Sequence, residues 1–273
     1  MQRTNIQRKL QPRITMKWQR QLILLLVLSS AVLSSCQQGS APSEPEGIFP
    51  TRTGVTWTYN TSVDTVGNNV FRPSGTNVVR IVGTRQLGSK EATVVVATTT
   101  PLAGAPTADT SFYAYENNRN DQLIYLNSIQ ALIGNIEGVR NITGFQAGWY
   151  PFIRTSGGVG STYTILNAQV NATVEGAGNV TIAARVEGRV EANEQITVSN
   201  RTYNATRVLI DTRIELRTTA GGFPVTIPIN VPLRVWVARN TGVVRQESSA
   251  VRIAITGITL PGVRQELQSI TGN

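Results

Sequence analysis

Few groups in this chain could carry out chemistry. Among its 273 residues there is one cysteine, Cys36, and no histidine. A serine–histidine triad, a cysteine–histidine pair, a zinc site built on histidine or several cysteines, and an intrachain disulfide are all excluded within one chain. Carboxylates remain. A hydrolase would draw on Asp64, Asp109, Asp121 or Asp211, but no spacing groups them. Glu187 and Glu191 would stand ~13 Å apart along a strand. That is too far for either carboxylate pair used in glycoside hydrolysis. The glycines in Ser156-Gly157-Gly158-Val159-Gly160 could cradle phosphate, yet no lysine follows them and no strand–loop–helix pattern surrounds them. A hairpin or lid loop is expected there. No catalytic residue, metal site or cofactor is expected.

The lone thiol sits at an informative place. Residues 1–20 hold Arg3, Arg8, Lys9, Arg13, Lys17 and Arg20 and no acid. An apolar run follows from Leu22 to Leu28 and continues through Ala31 and Val32. A basic stretch, a short apolar run and small residues before a boundary describe an export signal. The run is shorter than the ~20 residues a membrane span needs. An uncut N-terminal anchor helix or a buried core helix is the alternative. The run ends in Leu33-Ser34-Ser35-Cys36, which resembles the lipobox of bacterial lipoproteins. That resemblance implies that the Cys36 thiol is diacylated, that the chain is cut before it and that the new amine is acylated. One acyl chain binds a membrane marginally, whereas two or three anchor it durably. Met16-Lys17-Trp18-Gln19-Arg20 could itself open the signal, so residues 1–15 read as an over-called start.

Cleavage changes the charge balance. The whole chain has 25 Lys+Arg against 16 Asp+Glu, a net charge of +9. Six of those bases and none of the acids precede Cys36, so the 238 residues that remain carry about +3. Basicity therefore gives no ground for nucleic-acid binding. Lys90 is the one lysine left among 19 basic residues. Arginine forks suit carboxylate or phosphate, though a GC-rich genome gives the same bias. Residues 37–47 carry no large apolar side chain and read as a solvated tether. In enteric bacteria the residue after the lipidated cysteine influences sorting. Gln37, in place of aspartate, leans toward the outer membrane. Three parts follow: a signal at 1–35, a lipidated cysteine and linker at 36–48, and one folded domain at 49–273.

The domain reads as mainly β. Aromatic residues make up 6% and charged residues 15%, with threonine, valine, asparagine and glycine abundant, a mix that favours strands. Period-two alternation starts near residue 53 and continues through 77–86, 91–99, Thr110–Glu116 and Gln122–Leu126. Asn117-Asn118-Arg119-Asn120 marks a turn. In 165–175, 180–191 and 207–218 apolar residues fill one phase and polar or charged residues the other. That is a sheet with one dry and one wet face. Its Arg/Glu alternation suits cross-strand pairs on a solvated face. Residues 223–237 keep the period, but Pro224, Pro228 and Pro232 demand an edge or bulges. Two segments read as helix. Ile129, Leu132, Ile133, Ile136 and Val139 follow helical spacing over 128–139, with Ser128 as N-cap, and Val263, Leu267 and Ile270 form a weaker pattern. Gly144–Gly160 reads as a loop plugged by Phe145, Trp149, Tyr150 and Phe152. A curved antiparallel sheet of long strands, a half-barrel or open barrel with one or two short covering helices, is the expected architecture.

Part of this pattern resembles a known group. Ile196-Thr197-Val198, then Tyr203-Asn204-Ala205-Thr206-Arg207-Val208, then Val235-Trp236-Val237-Ala238-Arg239-Asn240-Thr241-Gly242-Val243-Val244-Arg245-Gln246-Glu247 are similar to the C-terminal part of LolA/LolB-like and DUF3108-like envelope proteins. The likeness covers about 161–256. It implies a half-barrel closed on its concave side by helix, which in some members binds acyl chains. It carries over no catalytic residue.

Two functional classes stay open. The first is a non-enzymatic envelope lipoprotein. It would hold a hydrophobic small molecule or lipid under a lid of Ile129, Leu132, Ile133, Ile136, Phe145, Trp149 and Phe152, or have a filled core and bind an envelope protein. The second is a carboxylate-dependent envelope hydrolase. An integral outer-membrane barrel would need apolar outer faces with aromatic girdles, which 6% aromatics argue against.

Overall fold

The alternation seen in the sequence becomes ladder pairing in the three-dimensional structure, a computed structural model that describes residues 47–129, 139–174, 178–220, 223–253 and 259–272. Fifteen strands are formed: β1 Thr56–Asp64, β2 Arg72–Leu87, β3 Lys90–Pro101, β4 Thr107–Glu116, β5 Asp121–Leu126, β6 Val139–Thr143, β7 Gly148–Arg154, β8 Thr162–Val174, β9 Gly178–Val198, β10 Arg201–Ala220, β11 Phe223–Ala238, β12 Gly242–Ser248, β13 Val251–Arg252, β14 Thr259–Leu260 and β15 Gly262–Thr271. Thirteen of them join one antiparallel sheet in the order β6-β8-β9-β10-β11-β12-β15-β1-β2-β3-β4-β5-β7, and β13 pairs with β14. Among the described residues there is no helix. The fold is a large, curved, mainly-β sheet.

Register explains why the dry face is dry. Val170 of β8 stands opposite Ile182 of β9, and Ala168 opposite Ala184. Ala184 faces Ile214 of β10, which faces Ile229 of β11. One apolar row thus crosses four strands, while Arg185, Glu187 and Arg213 take the other face. The three prolines of β11 fit the same logic. β11 pairs with β10 along its whole length but with β12 only from Leu233 onward, across a bulge at Trp236/Val237. Pro224, Pro228 and Pro232 lie in the stretch with no ladder on the second side, where a missing N–H costs nothing.

Two local expectations are corrected, and a third falls mostly outside the described residues. Residues 263–270 are not helical. They are strand β15, held between β12 and β1. A four-residue spacing fits a strand as well as a helix, because four is an even number. Val263, Gln265 and Leu267 share one buried phase, and the polar Gln265 hid the alternation. A bulge opposite Thr58/Tyr59 then shifts the phase, so that Ile270 stands opposite Trp57. The expected loop at 144–160 contains strand β7, which pairs with β5 and carries Pro151 at a bulge on the sheet edge. In the segment 128–139, Ile129 is buried in the core and Val139 opens strand β6. Residues 130–138, with Leu132, Ile133 and Ile136, lie outside the described residues.

The sheet does not close into a barrel. Its edges are β6 and β7, yet β7 touches β8 and β9, near the other end of the strand order. Tyr163 of β8 joins them. Its hydroxyl donates to the Phe152 carbonyl at 3.0 Å and accepts from the Arg154 amide at 3.0 Å. Its ring occupies the space where a side chain on Gly188 would stand. Burial pushes the Tyr163 hydroxyl pKa well up, which keeps it a neutral donor. Behind this seam the interior is filled by Trp57, Tyr59, Tyr113, Phe49 and aliphatic residues from most strands. Trp57 Nε1 donates to the Thr241 carbonyl and Tyr59 Oη to that of Val243. A buried amide chain runs through this core, Gln246 and Asn77 both donating to Gln265 Oε1 at 2.7 and 3.3 Å.

A short N-terminal strap, Gly47-Ile48-Phe49, ties down one end. The amides of Ile48 and Phe49 both donate to the Arg119 carbonyl, and the Gly47 and Ile48 carbonyls accept from the Asn240 and Gly242 amides. Phe49 is fully buried and stacks on Tyr115 at 5.8 Å. Burying such a ring contributes about 1.5–3 kcal/mol. The receiving turn is unusual, because Asn117, Asn118 and Arg119 all have positive φ of 50–61°. A side-chain carbon on Gly47 would lie 2.5 Å from the Asn118 carbonyl oxygen. Two expectations follow from strap and seam. In urea denaturation Gly47→Ala loses about 1–3 kcal/mol through overpacking. Tyr163→Phe loses about 1–2 kcal/mol, since it removes both hydrogen bonds of the seam. Unchanged midpoints would remove both devices from the account of stability.

Candidate functional site

The strap, the ends of β9, β10 and β11, and the loop between β7 and β8 enclose a cleft of about 690 Å³. The loop is hung on one carboxylate. Asp121 is fully buried at the start of β5. It accepts from Asn117 Nδ2 at 2.5 Å, Ser156 Oγ at 2.6 Å, and the Thr155 and Ser156 amides at 3.0 and 3.1 Å, with Arg154 Nε at 3.5 Å. Burial by itself would raise the Asp121 pKa. The bonds from Ser156, Asn117 and Thr155 outweigh it and hold the carboxyl below its ordinary value. Asp121 is therefore a charged knot between two turns. Ser156 lines the cleft, and its hydroxyl donates to the ionised Asp121 carboxylate.

Neutral amides and hydroxyls line much of the walls. On β10, Thr206 and Asn204 continue the phase of the core residue Val208. They stand opposite Asn193 and Gln195 of β9. A bulge at Arg207/Val208 precedes this change from apolar to amide. Thr206 Oγ1 donates to Asn193 Oδ1 at 2.7 Å. Ile48, Val190, Ala205 and Val237 supply apolar contact, and Val159 stands at the rim, 54% exposed. Glu194 and Arg239 are the charged residues of the lining. The Glu194 carboxylate already accepts from Arg207 at 2.8 Å and from Trp236 Nε1 at 2.7 Å. A second cleft, of about 580 Å³, lies against β6, β8, β9 and β10 and is lined by Asn141, Thr143, Asn171, Thr173, Arg217 and neighbours.

The residues singled out in the sequence fall in separate places. Asp64 caps the loop after β1, accepting from the Val66, Gly67 and Asn69 amides. Burial would raise its pKa, and those bonds hold it low. Asp109 stands opposite Ala97 on β4, with its pKa raised by partial burial. Asp211 pairs with Arg213 on the wet face. With Asp121 these make four isolated sites. Glu187 pairs with Arg185, two residues away on its own strand, and Glu191 collects Arg189 along its strand with Arg207 and Arg234 across strands. The wet face is thus laced both along and across strands. Of the lid residues, Ile129 and Phe152 are core. Phe145 leans on Tyr150, while Trp149 packs edge-on to Tyr125 and donates to the Leu87 carbonyl. Leu33, Ser34, Ser35 and Cys36 lie outside the described residues. Among the described residues no group of three or more potential metal ligands occurs.

The amides of the cleft were missed in the sequence. On β10 the change from Val208 to Thr206 and Asn204 was the signal; on β9 the sequence phase of Val190 runs on through Ala192, Glu194 and Ile196, and only the bulge opposite Arg207/Val208 turns Asn193 and Gln195 to the cleft.

Asp121, Asp64, Glu191 and Glu247 all sit below their ordinary values, burial being overcome by hydrogen bonds and by nearby arginines. Their ionised forms therefore favour the folded state. That stability is complete above the ordinary carboxylate range and is lost as pH falls below about 4 through the folded pKa values. Asp121→Asn should lower stability by about 1–3 kcal/mol at pH 7 and flatten the acid limb of a urea-midpoint-against-pH curve. An unchanged acid limb would show that the knot does not titrate with folding.

No family model matches the chain, and no curated protein matches it. Two solved structures are similar to it. One is a candidate lipoprotein from Parabacteroides distasonis, 14% identical, with a TM-score of 0.50 over 83% of this chain and 99% of that one. The other is a candidate exported protein with a YmcC-like fold from Bacteroides fragilis, 15% identical, with a TM-score of 0.49 over 83% of this chain and all of that one. At such identities the likeness is one of fold.

Proposed function

We propose that this chain is an exported protein of the bacterial envelope, held to a membrane by acyl chains on Cys36, whose β domain binds a protein partner and catalyses no reaction. The choice of binding protein over acyl carrier rests on the filled interior. Phe49, Trp57, Tyr59 and Tyr113 are each at most 1% exposed and occupy the space an acyl chain would need. Both described clefts are lined largely by amides and hydroxyls instead. Anchoring is supported by Leu33-Ser34-Ser35-Cys36 after the apolar run, and by fold likeness to a structure described as a candidate lipoprotein. Gln37 leans the location toward the outer membrane. The strap suits a tethered domain: Gly47 and Ile48, about ten residues beyond Gln37 in the sequence, are stitched to two turns.

Metabolic labelling with a palmitate analogue tests the anchor. Wild type should carry label and pellet with membranes, and Cys36→Ala should lose both. Pelleting without label would make an uncut N-terminal helix the anchor. Native mass spectrometry of the detergent-released protein tests the core. A mass equal to the lipidated chain alone is expected, whereas a co-purified lipid beyond the covalent acyl groups would make the domain a carrier.

A further inference from the structure

We infer that the cleft beside the strap binds a short, uncharged, extended peptide segment of a partner protein. The inference rests on the reading above of a solid-cored binding protein and names the site and the chemistry of its ligand.

Charge narrows the ligand first. Glu194 is already bound by Arg207 and Trp236, so among the described residues the cleft presents no free carboxylate to a cation. A single arginine at the mouth, Arg239, is a poor match for a polyanion, which takes clusters of bases. The groups left for a ligand are neutral. Among the described residues, the Gln195 and Asn204 carboxamides and Asn193 Nδ2 make no hydrogen bond.

Geometry narrows it further. Asn193 opposite Thr206 and Gln195 opposite Asn204 are successive rungs on one face of β9 and β10. Two residues along a strand span ~7 Å. Alternate residues of an extended peptide repeat at the same distance. A carboxamide offers one acceptor and two donors, so it can meet both the N–H and the C=O of a peptide group. A segment lying along β9 and β10 would therefore meet an amide rung at every second residue. Its other side chains would reach Ile48 and Val159, which are aliphatic. Among the described residues no aromatic ring lines the cleft, so they offer no stacking platform that would suit a sugar ring. The volume, about 690 Å³, falls inside the ordinary range for ligand pockets.

The test uses the full lipidated chain in detergent micelles and a random decapeptide library displayed on phage. Selection should enrich peptides without charged residues. Synthetic copies should bind wild type at least about tenfold more tightly than the Gln195→Ala/Asn204→Ala double variant, the effect of losing two hydrogen bonds. Arg217→Ala, in the second cleft, should leave affinity unchanged, and all three proteins should share one thermal midpoint. Three results would overturn the inference: no enrichment over the double variant, enrichment of charged peptides, or binding of a β-1,4-linked N-acetylglucosamine tetramer at these residues in place of peptide. Palmitate label and native mass are read on the same preparation. If they behave as expected while peptide binding fails, this inference falls and the anchored, solid-cored protein stands.

Discussion

A one-sided sheet has to hide its dry face and its two unpaired edges together, and in this protein a single tyrosine bears much of that burden. The strand order leaves β6 and β7 as edges, and curling brings β7 back to β8. No ladder spans the gap. Tyr163 bridges it by donating to one backbone group of β7 and accepting from another, and its ring needs Gly188 beneath it. The filled core follows from that curl, because only a curled sheet lets residues on β1, β4 and β9 share one interior.

The same constraint shapes the end where the strap lies. A curled open sheet has a mouth, and bare backbone or apolar side chains there would face water. Phe49 plugs part of it and stacks on Tyr115. The remainder is met by polar residues: Asp121 gathers the β4–β5 turn and the β7–β8 loop, and the inner face of β9 and β10 turns from valine to asparagine and glutamine. The candidate cleft is therefore built from the residues that finish the sheet. Its neutrality has the same origin, since the charged pairs are spent on the outer face, where Glu191 and Glu247 each collect arginines.

Strand identity was legible wherever one side of the alternation was apolar over most of its length, as in β8, β9 and β10. In β15 it was misread, because a buried polar residue, Gln265, interrupts a short pattern. The residue is fully buried because Asn77 and Gln246 donate to its side-chain oxygen. A scan for apolar periodicity registers an interior amide as a surface residue. Its partners lie 188 and 19 positions away in the chain. The loop assigned to 144–160 failed for a related reason: Pro151 and the flanking glycines argue against a strand in general, but an edge strand with a bulge tolerates both.

By itself the sequence determined the local and covalent properties: one thiol placed after an apolar run, the absence of histidine chemistry, a stretch at 37–47 without large apolar side chains, and strands whose faces are set by the period of two. Each depends on neighbours a few residues apart, so each can be read along the chain. Tertiary structure alone decided which distant residues meet. It put Tyr163 over Gly188, drew Asp121 to Ser156, set the strap on the Arg119 and Gly242 backbone, and lined up Asn193 and Gln195 with Thr206 and Asn204 across a bulge. Those meetings depend on register and curl, which arise from the packing of the whole dry face and belong to no single segment.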